Sequence, residues 1–223
     1  MAIPLSRGPD RLLTLPGVYV PQHDTRALIR AMGREDIGPG TDVLDIGTGS
    51  GALAVCAART GACVTAIDIA RRAVACARLN AALTRQKVTV RLADLASLDH
   101  TFDMVVSNPP YVPAPAGKPP VRGIARAWDA GHDGRAVIDR ICGAAPTMLR
   151  PGGVLLMVHS GLSGAHTTLH HLRRAGLTAE ITDRELVPFG PVLRSRAPWL
   201  RLRGLLGGNQ EAEELVVIRA ERR

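Results

Sequence analysis

The sequence predicts an α/β fold built on an open sheet, and three observations predict it. A short apolar run from Thr41 to Ile46 enters Gly47-Thr48-Gly49-Ser50-Gly51 and then a helical run from Ala52 to about Arg59. That is a strand, a glycine turn and a helix. Carboxylates close three successive predicted strands, at Asp45, Asp68 and Asp94, with helical segments between the strands. A fourth apolar run, Met104 to Val106, is cut by two prolines in Asn108-Pro109-Pro110-Tyr111. Strands alternating with helices build βαβ units, and such sheets bind ligands at the carboxyl ends of their strands.

The elements follow in order. Prolines and glycines keep residues 1 to about 20 irregular. Asp24 or Thr25 is placed to cap a helix through Leu28, Ile29 and Met32. Gly38-Pro39-Gly40 is a turn before the first strand. The second strand spans Ala62–Ile67, and Asp68 and Ile69 end it. The next helix, Arg71–Leu83, is expected to bury Val74, Ala77 and Leu79. Lys87–Leu92 alternates as a third strand and leads to Asp94-Leu95. After the fourth strand, residues 112–120 are rich in proline and alanine and read as a mobile loop. A polar loop, Trp128 to Arg135, precedes a helix over Ala136–Leu149 with Ile138, Ile141 and Ala145 on one face. Pro151-Gly152-Gly153 turns into a fifth strand, Val154–Val158. Leu162–Arg174 reads as a helix, Leu177–Val187 as the sixth strand and Leu215–Ala220 as the seventh. The segment 188–210, with Arg194, Arg196, Arg201 and Arg203 around Trp199, reads either as a contact for RNA or a protein, or as a surface loop between two edge strands.

Composition narrows the function. The 223 residues are 46% hydrophobic and 3% aromatic, so one domain can bury a full aliphatic core. The net charge is +8, carried by arginine except for Lys87 and Lys118. A basic surface attracts RNA, the ribosome or acidic proteins, although genome composition alone also explains an arginine bias. Cys56, Cys63, Cys76 and Cys142 include no C-x-x-C pair and read as buried, reduced thiols of a cytoplasmic protein. His166 and His170 stand one helical turn apart without a matching third ligand, so no metal site is expected. No apolar run is long enough to span a membrane, and Met1 to Arg11 lacks the apolar stretch of a signal peptide.

The chemistry concentrates at strand ends. The glycine turn allows positive φ and close backbone approach to a nucleotide-like ligand. Gly47, Gly49 and Ala52 also satisfy the dinucleotide pattern G-x-G-x-x-A. Asp68, 21 residues after Gly47, suits two ribose hydroxyls, or caps the following helix, or does both. Asp94 suits an adenine amino group or is a loop carboxylate in water. Asn108 offers an amide oxygen beside the Pro109 carbonyl. Two rigid acceptors side by side grip both hydrogens of a planar –NH2 group, with Tyr111 as a stacking face. The plain alternative is a Pro-Pro loop that only ends a strand.

Asp45-Ile-Gly-Thr-Gly-Ser-Gly51, Asp68, Asp94-Leu95 and Asn108-Pro-Pro-Tyr111, in that order, resemble the class I S-adenosylmethionine-dependent methyltransferases. The tetrapeptide and Asp129-Ala-Gly-His-Asp-Gly-Arg135 resemble the HemK-type glutamine N5-methyltransferases, which modify the Gly-Gly-Gln motif of release factors. Val18-Tyr-Val-Pro-Gln-His-Asp-Thr25 resembles their short branch without the separate N-terminal helical domain. The resemblance covers about residues 18–187 and departs at the basic insertion of about 188–210, where the family makes a short hairpin. It implies a Rossmann-like, seven-stranded, mostly parallel sheet with helices on both faces and the last strand antiparallel. Residues 1–40 would pack on the cofactor site, and 41–223 would form the methyltransferase domain. Gly47, Thr48, Gly49 and Gly51 would pass beside the methionine part of S-adenosylmethionine. Asp45 would hold its amino group and Thr25 would lie near its carboxylate. Asp68 with Ile69 would take the ribose, Asp94 with Leu95 the adenine. Asn108, Pro109, Pro110 and Tyr111 would hold the substrate amide, and Asn108 would also border the cofactor. A release factor is the implied substrate, with a small zinc-binding activating subunit as partner. Adenine N6, guanine N2 and small molecules present similar amino groups and stay open as substrates. An NAD-binding module would have no use for the amide clamp.

Overall fold

The computed structural model describes residues 12–223, so the reading of Met1 to Arg11 lies outside the described residues. Seven strands form one sheet: β1 (Asp42–Ile46), β2 (Cys63–Asp68), β3 (Val88–Leu92), β4 (Phe102–Ser107), β5 (Leu149–Ser160), β6 (Leu177–Pro188) and β7 (Ala212–Arg222). Their order is β3-β2-β1-β4-β5-β7-β6. The first five run parallel to one another, and β7 is antiparallel to both β5 and β6. This is the mostly parallel sheet with an antiparallel last strand that the resemblance implies. Because β7 inserts between β5 and β6, it is an interior strand, and the sheet's edges are β3 and β6. The expectation of two edge strands around 188–210 is corrected for β7.

Period-two alternation divides the core into two layers. Val43, Met104 and Val106 face one side, against α1 (His23–Met32), α2 (Ala52–Ala58) and α3 (Arg71–Leu83). Leu44, Val105 and Leu155 face the other, against α4 (Ala136–Met148) and α5 (Ala165–Arg174). Strands buried on both faces read as continuous apolar runs, as β4 and β5 do. The aliphatic sequence therefore supplies a complete core from small residues; Ala54, Ala57, Ala66 and Ala77 let helices approach the sheet closely.

Several local expectations change. The first helix begins at His23, so Asp24 and Thr25 lie inside its first turn, buried, rather than capping it. Leu79 is 39% exposed, because the stripe of α3 that faces the sheet is Ala73, Val74, Ala77 and Ala81. Cys63 is exposed at the start of β2, whereas Cys56, Cys76 and Cys142 are buried. Residues 112–114 are a fixed strap: Val112 N–H donates to the Trp128 carbonyl, and Ala114 N–H to that of Gly131. Their mobility is not observed at that end, since all three are buried.

The largest change is in 188–210. It contains a helix, α6 (Pro191–Leu202), instead of a loop. Pro191 opens it with a fixed φ, and Leu193, Ala197 and Leu200 recur at helical spacing on its buried side. That side packs on Val112, Phe189 and Leu206, which forms a third, smaller apolar cluster. Three of the four arginines bind the protein itself. Arg194 donates to the Phe189 carbonyl, Arg201 to Gly207 and Gln210, and Arg196 to Pro113 and the Asp129 carboxylate. No helix among the described residues is long and apolar enough to cross a membrane.

Candidate active site

The chain leaves β1 toward one end of the sheet and β4 toward the other, so their carboxyl ends flank a crevice. A cavity of about 290 Å³ lies there, at the small end of the range for ligand pockets. Its walls run from the turn after β1 and the end of β2 to the Asn108–Tyr111 loop and the start of α6.

The glycine turn is held by its own backbone. Gly47 and Thr48 N–H both donate to the Ile67 carbonyl, at 2.9 and 3.0 Å. Gly47, Gly49 and Gly51 have φ of +70°, +54° and +83°, a region open to glycine. A side chain on Gly47 would meet no protein atom within 4 Å; it would fill cavity space. At Gly51 the constraint is internal, because a Cβ would lie 3.1 Å from Ala77 Cα and separate α2 from α3.

The acidic residues divide in role. Asp45 is fully buried behind the turn, and its Oδ2 accepts from Thr48 Oγ1 at 2.6 Å and Ala54 N–H at 3.2 Å. Its Oδ1 has no hydrogen-bond partner, and burial pushes its pKa up to about 7. Asp68 lines the cavity, and its carboxylate meets the start of the following helix: Oδ1 accepts from Ala70 N–H, and Oδ2 from Gly49 N–H at 3.1 Å. Burial raises its pKa, against the pull of the Ala70 and Gly49 amides. Each oxygen keeps a lone pair for a ligand. Ile69 beside it is 52% exposed on the cavity wall. Asp94 also lines the cavity, but its carboxylate accepts from Ala96 N–H and pairs with Arg140. The Ala96 amide first, and then Arg140, hold its pKa below the usual carboxylate value despite partial burial. On the ribose role that the resemblance implies for Asp68, Asp68→Ala is expected to weaken S-adenosylhomocysteine binding by about 100-fold or more, the loss of two charge-assisted hydrogen bonds, as read by calorimetric titration.

At the end of β4, Ser107 Oγ donates to the Ile46 carbonyl at 2.9 Å and locks the two strand ends together. Asn108 Nδ2 donates to Thr25 Oγ1 at 3.3 Å. One of the two N–H donors of the amide is thus engaged, which fixes its orientation, and the Asn108 Oδ1 and Pro109 carbonyl oxygens have no hydrogen bond to any described residue. Thr25, expected beside a methionine carboxylate, has its hydroxyl placed between Asp24 and Asn108.

Three residues that the sequence argument passed over complete this end. Asp24 Oδ2 accepts from the hydroxyls of Tyr19 at 2.7 Å and Tyr111 at 3.1 Å. Burial first, and then the Asp24 charge, raise the pKa of both phenols. Glu213, at the start of β7, lines the cavity next to them. Its signal was present in the sequence: period two puts it on the same face as Leu215 and Val217, where a carboxylate is out of place. Tyr111 is also held at its backbone. Ser163 Oγ donates to the Tyr111 carbonyl at 2.7 Å, and Gly134 packs directly against that carbonyl. Arg135, buried, fixes the same loop through Asp139 and the Ser163 and Gly164 carbonyls.

Comparison with known proteins gives a consistent result. Residues 10–122 match the family model of the methyltransferase small domain. A Methanocaldococcus jannaschii protein, provisionally assigned as a protein N5-glutamine methyltransferase, is 34% identical over 176 residues, covering 78% of this chain and 88% of that one. The release factor glutamine methyltransferase of Geobacter sulfurreducens is 38% identical over 178 residues, 76% of this chain and 62% of that one. The chain thus spans less than two thirds of the bacterial relative. Among solved structures, the E. cuniculi Mtq2–Trm112 complex, responsible for methylation of the eRF1 termination factor, superposes with a TM-score of 0.63 at 23% identity, covering 93% of this chain and 99% of that one. The T. thermophilus 16S rRNA N2 G1207 methyltransferase, in complex with AdoMet and guanosine, gives 0.62 at 22% identity, over 94% of this chain and 46% of that one. At those identities the structural likeness speaks for the fold.

Proposed function

We propose, because this chain belongs to the methyltransferase small domain family and to its glutamine N5-methyltransferase branch, that it methylates the glutamine side-chain amide of a translation release factor. The supporting observation is the fixed amide of Asn108: with Nδ2 on Thr25, two free oxygens at the tip of β4 can accept both hydrogens of one –NH2 group.

The residues present fit S-adenosylmethionine. Asp45, fully buried behind the glycine turn and outside the cavity lining, supports the site by fixing Thr48 and the start of α2 rather than by lining the methionine end itself. The space beside Gly47 is open, Asp68 keeps acceptor capacity for ribose hydroxyls, and Ile69 and Leu95 give apolar walls for a base. The cofactor supplies an electrophilic sulfonium methyl.

What the chain must do is orient a poor nucleophile. An amide nitrogen has a delocalised lone pair. Asn108 and the Pro109 carbonyl fix that nitrogen and place two partial negative charges beside the positive charge that develops on it. No strong base is needed, because the methylated nitrogen is acidic and loses its proton late. Thr25 holds the Asn108 amide in one orientation, and Tyr111, tethered to Asp24, closes the wall beside it.

Nucleic acid is the less favoured substrate, since Arg194, Arg196 and Arg201 bind the protein itself. A small activating subunit would find apolar surface near the free β3 edge, where Leu92 at the end of β3 is 48% exposed and Leu83 at the end of the preceding α3 is 60% exposed. The function is tested with labelled methyl transfer to release factor, to its Gln→Ala variant and to total RNA, with and without such a subunit. Label in the first alone is the expected outcome; label in RNA, or equal label in the Gln→Ala protein, overturns the assignment.

A further inference from the structure

Glu213 is a buried carboxylate that the steps above leave without a task. It is 6% exposed, and it lines the cavity at the end where Asp24, Tyr19 and Tyr111 meet. Its Oε2 has no hydrogen-bond partner. The groups around it cannot supply one. The hydroxyl hydrogens of Tyr19 and Tyr111 are both committed to Asp24 Oδ2. The Ser160 hydroxyl, which accepts from Leu162 N–H, lies beside the carboxyl and has a single hydrogen, so it can serve at most one of the two Glu213 oxygens. Among the described residues no arginine, lysine or histidine forms an ion pair with Glu213, whereas the adjacent Glu214 pairs with Arg184 on the opposite face of the strand. A buried acceptor without a donor is rare in folded proteins, and such groups concentrate where a ligand completes them.

We infer that Glu213 is a specificity residue that accepts a hydrogen bond from a backbone N–H of a peptide whose carboxamide side chain occupies the Asn108 clamp. The inference rests on the proposed function and narrows its substrate to a polypeptide. The chemistry of this end disfavours a nucleic acid. A nucleic acid threading its base into the clamp would bring phosphates past Asp24 and Glu213, two carboxylates close enough for each charge to act on the other. A peptide brings N–H groups that lose water on entering and need acceptors. Burial, with no cation beside it, pushes the Glu213 pKa up to about 7, so an N–H donor arriving at the group would favour its ionised form.

Two measurements test it. Glu213→Gln keeps the shape and removes the charge. Against intact release factor it is expected to raise KM about 10-fold or more, change kcat less than 3-fold, and leave S-adenosylhomocysteine affinity unchanged. In the second, amides flanking glutamine in a peptide substrate are replaced in turn by esters, each removing one N–H. One ester is expected to lower kcat/KM about 10-fold with the unaltered enzyme and to have little effect with Glu213→Met, which keeps the length of the side chain but, unlike Gln, offers no comparable acceptor. An unchanged KM in Glu213→Gln, or ester penalties equal in the unaltered and Glu213→Met enzymes, overturns the role of Glu213 while the glutamine assignment stands. Absence of transfer to release factor by the unaltered enzyme overturns both.

Discussion

Asn108→Ala is expected to lower methyl transfer by about 1,000-fold or more while S-adenosylhomocysteine binds within about 3-fold of its original affinity. The magnitude combines two losses. Removing one preorganised polar group aimed at developing charge costs about 100- to 1,000-fold in comparable sites, and loss of orientation at the reacting nitrogen adds to it. Cofactor affinity is spared because Asn108 bonds only Thr25 within the protein, while the glycine turn and Asp68 hold each other without it. Asn108→Asp separates charge from geometry. A carboxylate keeps an acceptor toward the cavity but loses the donor to Thr25, so partial activity with a raised KM is expected. Single-turnover rates beside calorimetric titration make the comparison. An Asn108→Ala enzyme with near-full rate would remove the clamp from the mechanism.

Gly134→Ala is the second large effect, and it arises away from any ligand. Gly134 has φ +73°, and a Cβ there would overlap the Tyr111 carbonyl oxygen and lie 2.7 Å from Ser163 Oγ. Left-handed backbone costs a non-glycine residue roughly 1–2 kcal/mol and overpacking about 1–3 kcal/mol. The sum, roughly 3 kcal/mol, corresponds to a fall in Tm of about 6–12 °C for a chain of this size. The Cβ displaces the carbonyl of the residue next to Pro110, so transfer is expected to drop about 100-fold even well below the melting point. Gly176→Ala is the control. Its φ is +88°, but a Cβ there meets nothing within 4 Å. It carries the backbone cost alone, a smaller loss of Tm with full activity. Equal behaviour of the two variants in thermal melts and assays would show that the contact with Tyr111 is unimportant.

Much of the cofactor side was legible in the sequence because it is local. A strand, three glycines and a helix within 41–59 can adopt few arrangements, and Asp68 sits where β2 must end. The prolines at 109 and 110 stop β4 for a covalent reason, the missing N–H, which requires no knowledge of the neighbours. The substrate side is different. Asp24 reads as a helix cap until Tyr19 and Tyr111, five and 87 residues away, arrive at its carboxylate. Gly134 is one of 23 glycines until the Tyr111 carbonyl is found beneath it. Segment 188–210 reads as a loop because its arginines and Pro198 mask a helical stripe that only packing on Val112 and Phe189 reveals.

The sequence by itself determined the α/β class, the strand ends that line the cavity and the place of Asn108 and Pro109 at the tip of β4. Those depend on backbone sterics and short-range periodicity, which are properties of neighbouring residues. Only the tertiary structure decided that β7 lies inside the sheet, that Asn108 spends an N–H donor on Thr25, and that Glu213 Oε2 is buried without a partner. Desolvation and hydrogen-bond satisfaction depend on which distant segments exclude water from a group, so they come into being only when the chain has folded.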